Sequence, residues 1–313
     1  MPATESFLLV VNPAAGAGRA ASSLSALQRE LERRDMPHEV ARTAARGDAT
    51  RIVRDALSNG ATGIGVVGGD GTLNECVNGF FDERGNSIAP SAWLAPFPAG
   101  TGGDFCRGLG MPDDVDSLVA RVAGAMPSPI DVGWVDYTNE RGDRERRAFL
   151  NIASCGLSAV VVRAVERMPK SFGGRMTYLL GTCVGLTRYR PTRVAISYDG
   201  GAERTTSLLT LAVANSQYFG GGMHIAPSAL TDDGRLDAVG LENMSKLGSL
   251  ALTNALYDGT VLSRRGVTHA QAVTVSVRAL NDAEVVNVEL DGESPGRLPA
   301  TFSVQPASLL LRA

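Results

Sequence analysis

The chain's pattern is that of an α/β protein with a doubly wound parallel domain followed by a β-rich second domain. Three observations predict this. Short apolar runs alternate with helical periodicity through the first half of the chain, whereas strand-like runs dominate the second half. Glycine-rich clusters follow directly after the apolar runs of the first half.

In the first half, Phe7 to Val11 is a buried strand. Leu24, Leu27 and Leu31 give one apolar face to a helix over Ala20 to Arg34. His38 to Arg42 is a second strand. Asp48 is placed to cap a helix carrying Ile52, Val53, Ala56 and Leu57. Ile64 to Val67 is a strand that enters Gly68-Gly69-Asp70-Gly71-Thr72 and then a helix over Leu73 to Phe81. Ser91 to Phe97 is a strand, Asp114 to Gly124 a helix, and a strand lies near Ile130 to Val135. Alternation of this kind builds a parallel sheet.

In the second half, Phe149 to Ser154 is a strand, and helical patterns cover Leu157 to Met168 and Gly174 to Tyr189. Strand-like runs follow at Arg193 to Tyr198, Leu208 to Ala214, Leu236 to Leu241, Val273 to Val277, Val285 to Leu290 and Thr301 to Val304. One helix, Lys246 to Tyr257, interrupts them. Asn139 to Arg147 is a charged, solvated hairpin tip. The expected domains are 1–131 and 132–305, with 306–313 returning to the first.

Composition excludes several classes. Of 313 residues, 44% are hydrophobic, which supports a folded core. Thirty basic against 33 acidic residues give a net charge of −3, unlike a general nucleic-acid binder. Cys76, Cys106, Cys155 and Cys183 form no CxxC pair and read as buried thiols. The three histidines lack metal-ligand spacing. No run reaches the roughly 18 apolar residues of a membrane span. The first residues read as a strand rather than a leader, so the expected location is cytoplasmic with peripheral membrane contact.

The chemistry lies in the loops. Gly68-Gly69-Asp70-Gly71-Thr72 is a strand-to-helix turn, where free amides bind anions and glycines admit phosphate closely. Asp70 repels phosphate, so its natural partners are Mg²⁺ or a sugar hydroxyl. Pro98 to Asp104 follows the next strand, and Asn12 to Arg19 follows the first. In a parallel sheet, strand ends of this kind line one rim. Gly16 to Ala21 spells GxGxxA but stands too far from its strand, and Gly63 to Gly68 spells GxGxxG inside one. No GxxxxGK[ST] occurs, which excludes a P-loop. Later, Leu230-Thr231-Asp232-Asp233-Gly234-Arg235 is an acidic loop able to wrap a hard cation, or an Asx turn between strands. Leu290-Asp291-Gly292-Glu293 reads alone as a hairpin turn. Pointed at a ligand, either carboxylate can take a hydroxyl proton.

Together these segments resemble the diacylglycerol kinase catalytic-domain family, in particular its soluble bacterial lipid kinases. Sphingosine and ceramide kinases share that domain, and NAD kinases look like distant relatives. The match runs in order through VVNPAAGAGRA, GDAT, VVGGDGTLNECVNG, PFPAGTGGDFCRGLG, FLNIASCGLSA, YFGGGMHIAPSALTDDGRLDAV and LDGES. The resemblance implies a Rossmann-like nucleotide domain, a β-rich sandwich-like second domain, ATP and Mg²⁺. It implies nucleotide contacts at Asn12, Thr43, Gly69, Asp70, Gly71, Thr72, Leu73, Asn74, Glu75 and Thr101. Leu230, Asp233 and Arg235 match a structural Mg²⁺ site, the first and last through backbone carbonyls. Glu293 matches a proton acceptor, with Asp70 and Asp291 beside it in the catalytic set. Asp104 and Asp131 match acidic positions of the metal–phosphate network. The family pattern GT-x-N-D carries Asn where this chain has Gly103, which removes a polar contact to nucleotide or loop.

The function expected from this resemblance is ATP-dependent phosphorylation of a lipid hydroxyl at a membrane surface, a step in phospholipid metabolism. The acceptor is diacylglycerol-like or a sphingoid or ceramide lipid. The alternatives are a kinase for NAD or another soluble metabolite, and a nucleotide-binding protein without catalysis. Related bacterial kinases suggest a homodimer. Met176 to Leu186 reads as a core helix, or as a segment contributing to lipid contact.

Overall fold

A computed structural model describes residues 6–99, 103–166, 181, 185, 189–244, 248, 252–281 and 283–313. The chain forms two compact units, Met1–Ile130 with Ala307–Ala313, and Asp131–Pro306.

The first unit alternates strand and helix: β1 (Phe7–Val11), α1 (Arg19–Arg33), β2 (His38–Arg42), α2 (Asp48–Ser58), β3 (Gly63–Gly68), α3 (Asp70–Gly79), β4 (Trp93–Pro98), α4 (Asp104–Gly108) and α5 (Val115–Gly124). Its sheet runs β2-β1-β3-β4, all parallel. Leu310 and Leu311 of the chain's last strand add beside β4, also in parallel. The central strand β3 is buried along its whole length, as a strand covered on both faces must be. On one face Leu9, Val11, Val67, Ala95 and Phe97 pack with Leu24, Leu27 and Leu31 of α1 and Leu118 and Val122 of α5. Each such side chain contributes about 1.5–3 kcal/mol on burial. Arg312 crosses back to donate to the Val122 carbonyl at the end of α5, 2.9 Å away.

The second unit holds β5 (Ser128–Asn139), β6 (Arg144–Phe149), β7 (Ile152–Gly156), α6 (Leu157–Glu166), β8 (Thr192–Tyr198), β9 (Arg204–Ala214), β10 (Tyr218–Phe219), β11 (Met223–His224), β12 (Leu236–Glu242), α7 (Thr253–Asp258), β13 (Val267–Ala272), β14 (Thr274–Ala279), β15 (Asn287–Leu290) and β16 (Glu293–Leu311). The long strands β9 and β16 organise it. The first part of β9 pairs with β8 and its second part with β7. The first part of β16 pairs with β15 and the next part with β14. Since β7 pairs with β15 and β8 with β14, all antiparallel, the hydrogen bonding closes on itself. Val194, Leu211, Val213, Val275, Val288 and Phe302 fill the interior.

Several elements differ from the sequence reading. Asp48 is not the cap of α2: Gly47 holds that position with φ of 85°, and Asp48 is the first helical residue. Arg144 to Arg147, read as loop, form β6 against β5, and the hairpin tip shrinks to the turn between Asn139 and Asp143. Strand β13 carries Thr268, His269 and Gln271, too polar to signal a strand. The helix read over Gly174 to Tyr189, the Met176–Leu186 segment and the first half of the Lys246–Tyr257 helix fall largely outside the described residues.

Candidate active site

The first unit brings its loops together at the C-terminal ends of β1, β3 and β4. Gly68 closes β3 so tightly against α3 that a Cβ there would lie 2.6 Å from the Thr72 Cβ. Gly69 precedes α3 with no side chain capping the helix, and open space surrounds the Cβ positions of both Gly69 and Gly71. That leaves the first-turn amides able to meet an anion. Asn12 spans from the end of β1, donating from Nδ2 to Thr72 Oγ1 at 2.9 Å while its Oδ1 accepts from the Ala14 amide. Asp70 Oδ2 accepts the Asp104 amide at 3.1 Å, tying the β3 loop to the β4 loop. Leu73, Asn74 and Glu75 lie within α3. Glu75 Oε2 accepts the Ala49 amide, and its carbonyl accepts Thr50 Oγ1 at 2.7 Å, so Glu75 joins α3 to α2. Thr43 extends β2 by donating its amide to the Val11 carbonyl. The following loop is shaped by Asp48, whose Oδ2 accepts the Ala44 and Ala45 amides at 2.8 and 3.0 Å. Those two amides hold its carboxyl below the usual range. Thr101 lies outside the described residues.

In the second unit, Asp291 and Gly292 form a two-residue turn between Leu290 and Glu293, with φ of 43° and 89°. Two positive values match a type I′ hairpin turn, which favours Asp-Gly. Asp291 is not a free carboxylate. Its Oδ2 accepts the Leu150 amide at 2.9 Å, and its Oδ1 accepts the Asn151 and Ile152 amides at 3.1 and 3.0 Å. This clamp breaks the single strand read over Phe149 to Ser154 into β6 and β7. Glu293 opens β16 and pairs with Arg147 of β6, Nη1 to Oε2 at 3.0 Å, with its side chain 14% exposed. Arg163 of α6 donates to the neighbouring Ser294 Oγ at 3.0 Å.

The acidic loop before β12 holds the residues expected at a cation. Asp233 Oδ1 accepts the Arg235 amide at 2.9 Å. Asp131 Oδ2 accepts the Gly234 amide at 2.7 Å, and the Asp131 amide donates to the Thr231 carbonyl. Burial, and then the charges of Asp237, Asp131 and Asp232, push the Asp233 carboxyl up. Leu230 is 53% exposed. Among the described residues no three Asp, Glu, His or Cys side chains gather as a metal centre, so a hard cation at this loop would draw on the Asp233 carboxylate and main-chain carbonyls.

Sequence reasoning missed Arg147, which was assigned to solvent. It missed Glu289 and Ser154, which meet under the Asp291 turn, and Asn215, which donates to the Asp131 and Leu150 carbonyls. A carboxylate inside the apolar run Val285 to Leu290 was the one available signal.

Comparison with known proteins adds a second line of argument. Residues 6–135 match the model of the diacylglycerol kinase catalytic domain. Residues 151–313 match the YegS C-terminal NAD kinase beta sandwich-like domain. A diacylglycerol kinase of Bacillus subtilis is 29% identical over 297 residues, 94% of this chain and 91% of the relative. A probable YegS-like lipid kinase of Pseudomonas aeruginosa is 32% identical over 271 residues, 84% and 80% of the two chains. Among solved structures, a diacylglycerol kinase from Bacillus anthracis superposes with a TM-score of 0.71 at 22% identity, covering 99% and 97%. An NAD kinase from Archaeoglobus fulgidus in complex with ATP gives 0.50 at 13%, covering 97% and 92%. At these identities the two structures speak to the fold alone.

Proposed function

The chain belongs to the diacylglycerol kinase and YegS-like lipid kinase family, and on that basis we propose that it transfers the γ-phosphoryl group of ATP to a lipid hydroxyl at a membrane surface. The observation that carries the reading is the Asp291-Gly292 turn. Three main-chain amides fix Asp291, and that anchored turn presents Glu293 beside Arg147.

In this reading Glu293 is the proton acceptor. The lipid hydroxyl oxygen bonds to the γ-phosphorus, the bond from that phosphorus to the bridging oxygen breaks, ADP leaves, and Glu293 takes the hydroxyl proton. Phosphoryl transfer depends chiefly on positioning and charge, so one placed carboxylate suffices. The α3 amides at Gly71 and Thr72 receive phosphate oxygens, Asn12 orients Thr72, and the Thr43 loop and Glu75 frame the nucleotide. By the family resemblance, position 101 would supply a further nucleotide contact. Asp70, whose Oδ2 accepts the Asp104 amide, would be the carboxylate that serves the metal–nucleotide, while Asp291 acts by holding the turn. Asp233, with the Leu230 and Arg235 carbonyls, would hold a structural Mg²⁺, supplying positive charge to the loop that Asp131 braces. Among the described residues no helix is long and apolar enough to cross a membrane.

The test is transfer from γ-labelled ATP to a lipid panel in mixed micelles, with and without Mg²⁺, with NAD as a soluble acceptor. The expected result is a Mg²⁺-dependent labelled lipid. Glu293→Gln should lower kcat by about a thousandfold while leaving ATP binding intact, in the range of a lost general base. Label on NAD alone overturns the lipid assignment, and full activity in Glu293→Gln overturns the base.

A further inference from the structure

Beneath the Asp291-Gly292 turn lies a second carboxylate that the mechanism above does not use. Glu289 sits on β15 at 5% exposure, flanked by Val288 and Leu290. Its Oε1 accepts the Gly292 amide at 2.8 Å. Its Oε2 accepts the Ser154 hydroxyl of β7. Ser154 Oγ meets Ser158 Oγ at 2.7 Å, and Thr210 Oγ1 of β9 donates to Ser158 Oγ at 3.3 Å. Ser158 lies in the first turn of α6, where helix amides favour negative charge. Thus Thr210, Ser158 and Ser154 can each donate to the next, ending on an ionised Glu289, so the chain is satisfied in the charged form.

We infer that Glu289 is a positioning residue for the reaction: it locks the Gly292 end of the turn as Asp291 locks the other, and so fixes the point from which Glu293 departs. A type I′ turn has two central residues, here Asp291 and Gly292. Asp291 ties its own end to the β6–β7 junction through the Leu150, Asn151 and Ile152 amides. Without Glu289, the Gly292 amide next to Glu293 would lose the Oε1 acceptor at a half-buried position, where an unpaired donor is costly.

The same network makes the lock sensitive to pH. Burial pushes the Glu289 carboxyl up to about 7, against the opposing pull of the Ser154 and Gly292 bonds, with the Asp291 charge adding to the rise. The groups facing Glu289 from β7, α6 and β9 are the Ser154, Ser158 and Thr210 hydroxyls. Arg163 of α6 turns instead to Ser294 and Glu140. Protonation of Glu289 converts Oε2 from acceptor to donor and reverses the hydroxyl chain. Oε1 can accept the Gly292 amide in both forms, but the ionised carboxylate is the stronger acceptor, so the turn is held most firmly above about 7 and turnover should fall as pH drops through that value.

This inference rests on the reading of Glu293 as the proton acceptor. The experiment compares wild type, Glu289→Gln, Ser154→Ala and Glu293→Gln by steady-state kinetics from pH 5.5 to 9, and by hydrogen exchange of the 288–294 segment. In Glu289→Gln, kcat should fall by about ten- to a hundredfold with KM for ATP within about twofold, in the manner of a misplaced catalytic group. The acidic limb near 7 should vanish in that variant, and the segment should exchange faster. Ser154→Ala keeps the carboxyl and should shift the limb upward, and it serves if Glu289→Gln does not fold. Wild-type kcat, pH profile and exchange in Glu289→Gln, with Glu293→Gln inactive, overturn the inference alone. An active Glu293→Gln overturns the proton-acceptor reading instead. If wild type labels no acceptor, the exchange of the 288–294 segment decides whether Glu289 holds the turn.

Discussion

The two units hold their functional residues by opposite means. In the first, the bonds that shape the loops are mostly local or join adjacent βα turns: Asp48 grips Ala44 and Ala45, Asn12 grips Ala14, and Glu75 reaches α2. In the second, the determining bonds join residues more than a hundred positions apart. Asp291 grips Leu150 to Ile152, Glu293 meets Arg147, and Asp131 meets Gly234. A site built on local turns tolerates the loss of one contact because helix and strand still define the loop. A site built on distant clamps depends more on each of them, because the hairpin alone does not set which distant segment its turn meets.

The sharpest way to test this contrast is to open the Asp291 clamp. Asp291→Ala would leave the buried amides of Leu150, Asn151 and Ile152 unpaired at about 1 kcal/mol or more each. The expected loss is about 3 kcal/mol or more of stability, with activity collapsing alongside it. Asp291→Asn keeps one carbonyl oxygen and should fall between. Urea unfolding followed by far-UV dichroism reads both, and an unchanged midpoint in Asp291→Ala would erase the contrast.

The same contrast explains what the sequence made legible. The order of strands and helices in the first unit follows from apolar runs and Leu24-Leu27-Leu31 spacing, because each βα step is decided within a few residues. The GGDGT turn and the LDGE hairpin were visible for the same reason, since Gly68 and the Asp291-Gly292 pair answer to local geometry. What could not be read is which distant group meets which. Nothing in Asn139 to Arg147 distinguishes Arg147, half-buried against Glu293, from the exposed Arg141 and Arg144. Likewise no spacing couples Ser154 to Glu289. The extent of β16 escaped because Pro295, Pro299 and Pro306 punctuate it and Ala307 takes a φ of 48°, while its pairing with β15, β14 and β4 keeps it extended.

A second prediction separates charge from shape in the distant-clamp unit. The Glu289 carboxyl rises from the usual 4.5 to about 7 on folding. Between those values the folded form binds more protons than the unfolded form, so stability falls as pH rises through that window. The associated change is about 3 kcal/mol, fully present as stabilisation below 4.5 and lost above 7. Glu289→Gln lacks this slope. Urea midpoints at about pH 5 and about pH 8 should therefore diverge more in wild type than in the variant, and parallel midpoints would remove the buried carboxyl from the account.

In the first unit the expected effects are smaller. Asp48→Asn weakens the hold on the Ala44 and Ala45 amides but leaves α2 capped by Gly47. The Thr43 loop should loosen and KM for ATP rise by about two- to fivefold, with Tm unchanged, because a displaced contact loop costs binding before fold. A large fall in Tm would show that this unit, too, depends on single clamps.

The smallest effect is expected at Gly103, where the family pattern carries Asn. Its φ of −86° is open to any residue, so no backbone strain opposes a side chain. A Cβ would meet the Cβ atoms of Cys106 and Pro98 at 3.4 Å, which is contact without collision. The Asp104 amide next to it already donates to Asp70, and that bond does not involve the position 103 side chain. Gly103→Asn should therefore fold with Tm within a few degrees of wild type and restore a carboxamide beside the nucleotide loop. The expected gain is a KM for ATP lowered by about two- to threefold, roughly the value of one neutral hydrogen bond. If KM rises instead, the loop in this chain has adapted to glycine by bringing another atom into the place the carboxamide would occupy. The local unit would then carry its own hidden dependence, of the kind that Asp291 makes plain in the other.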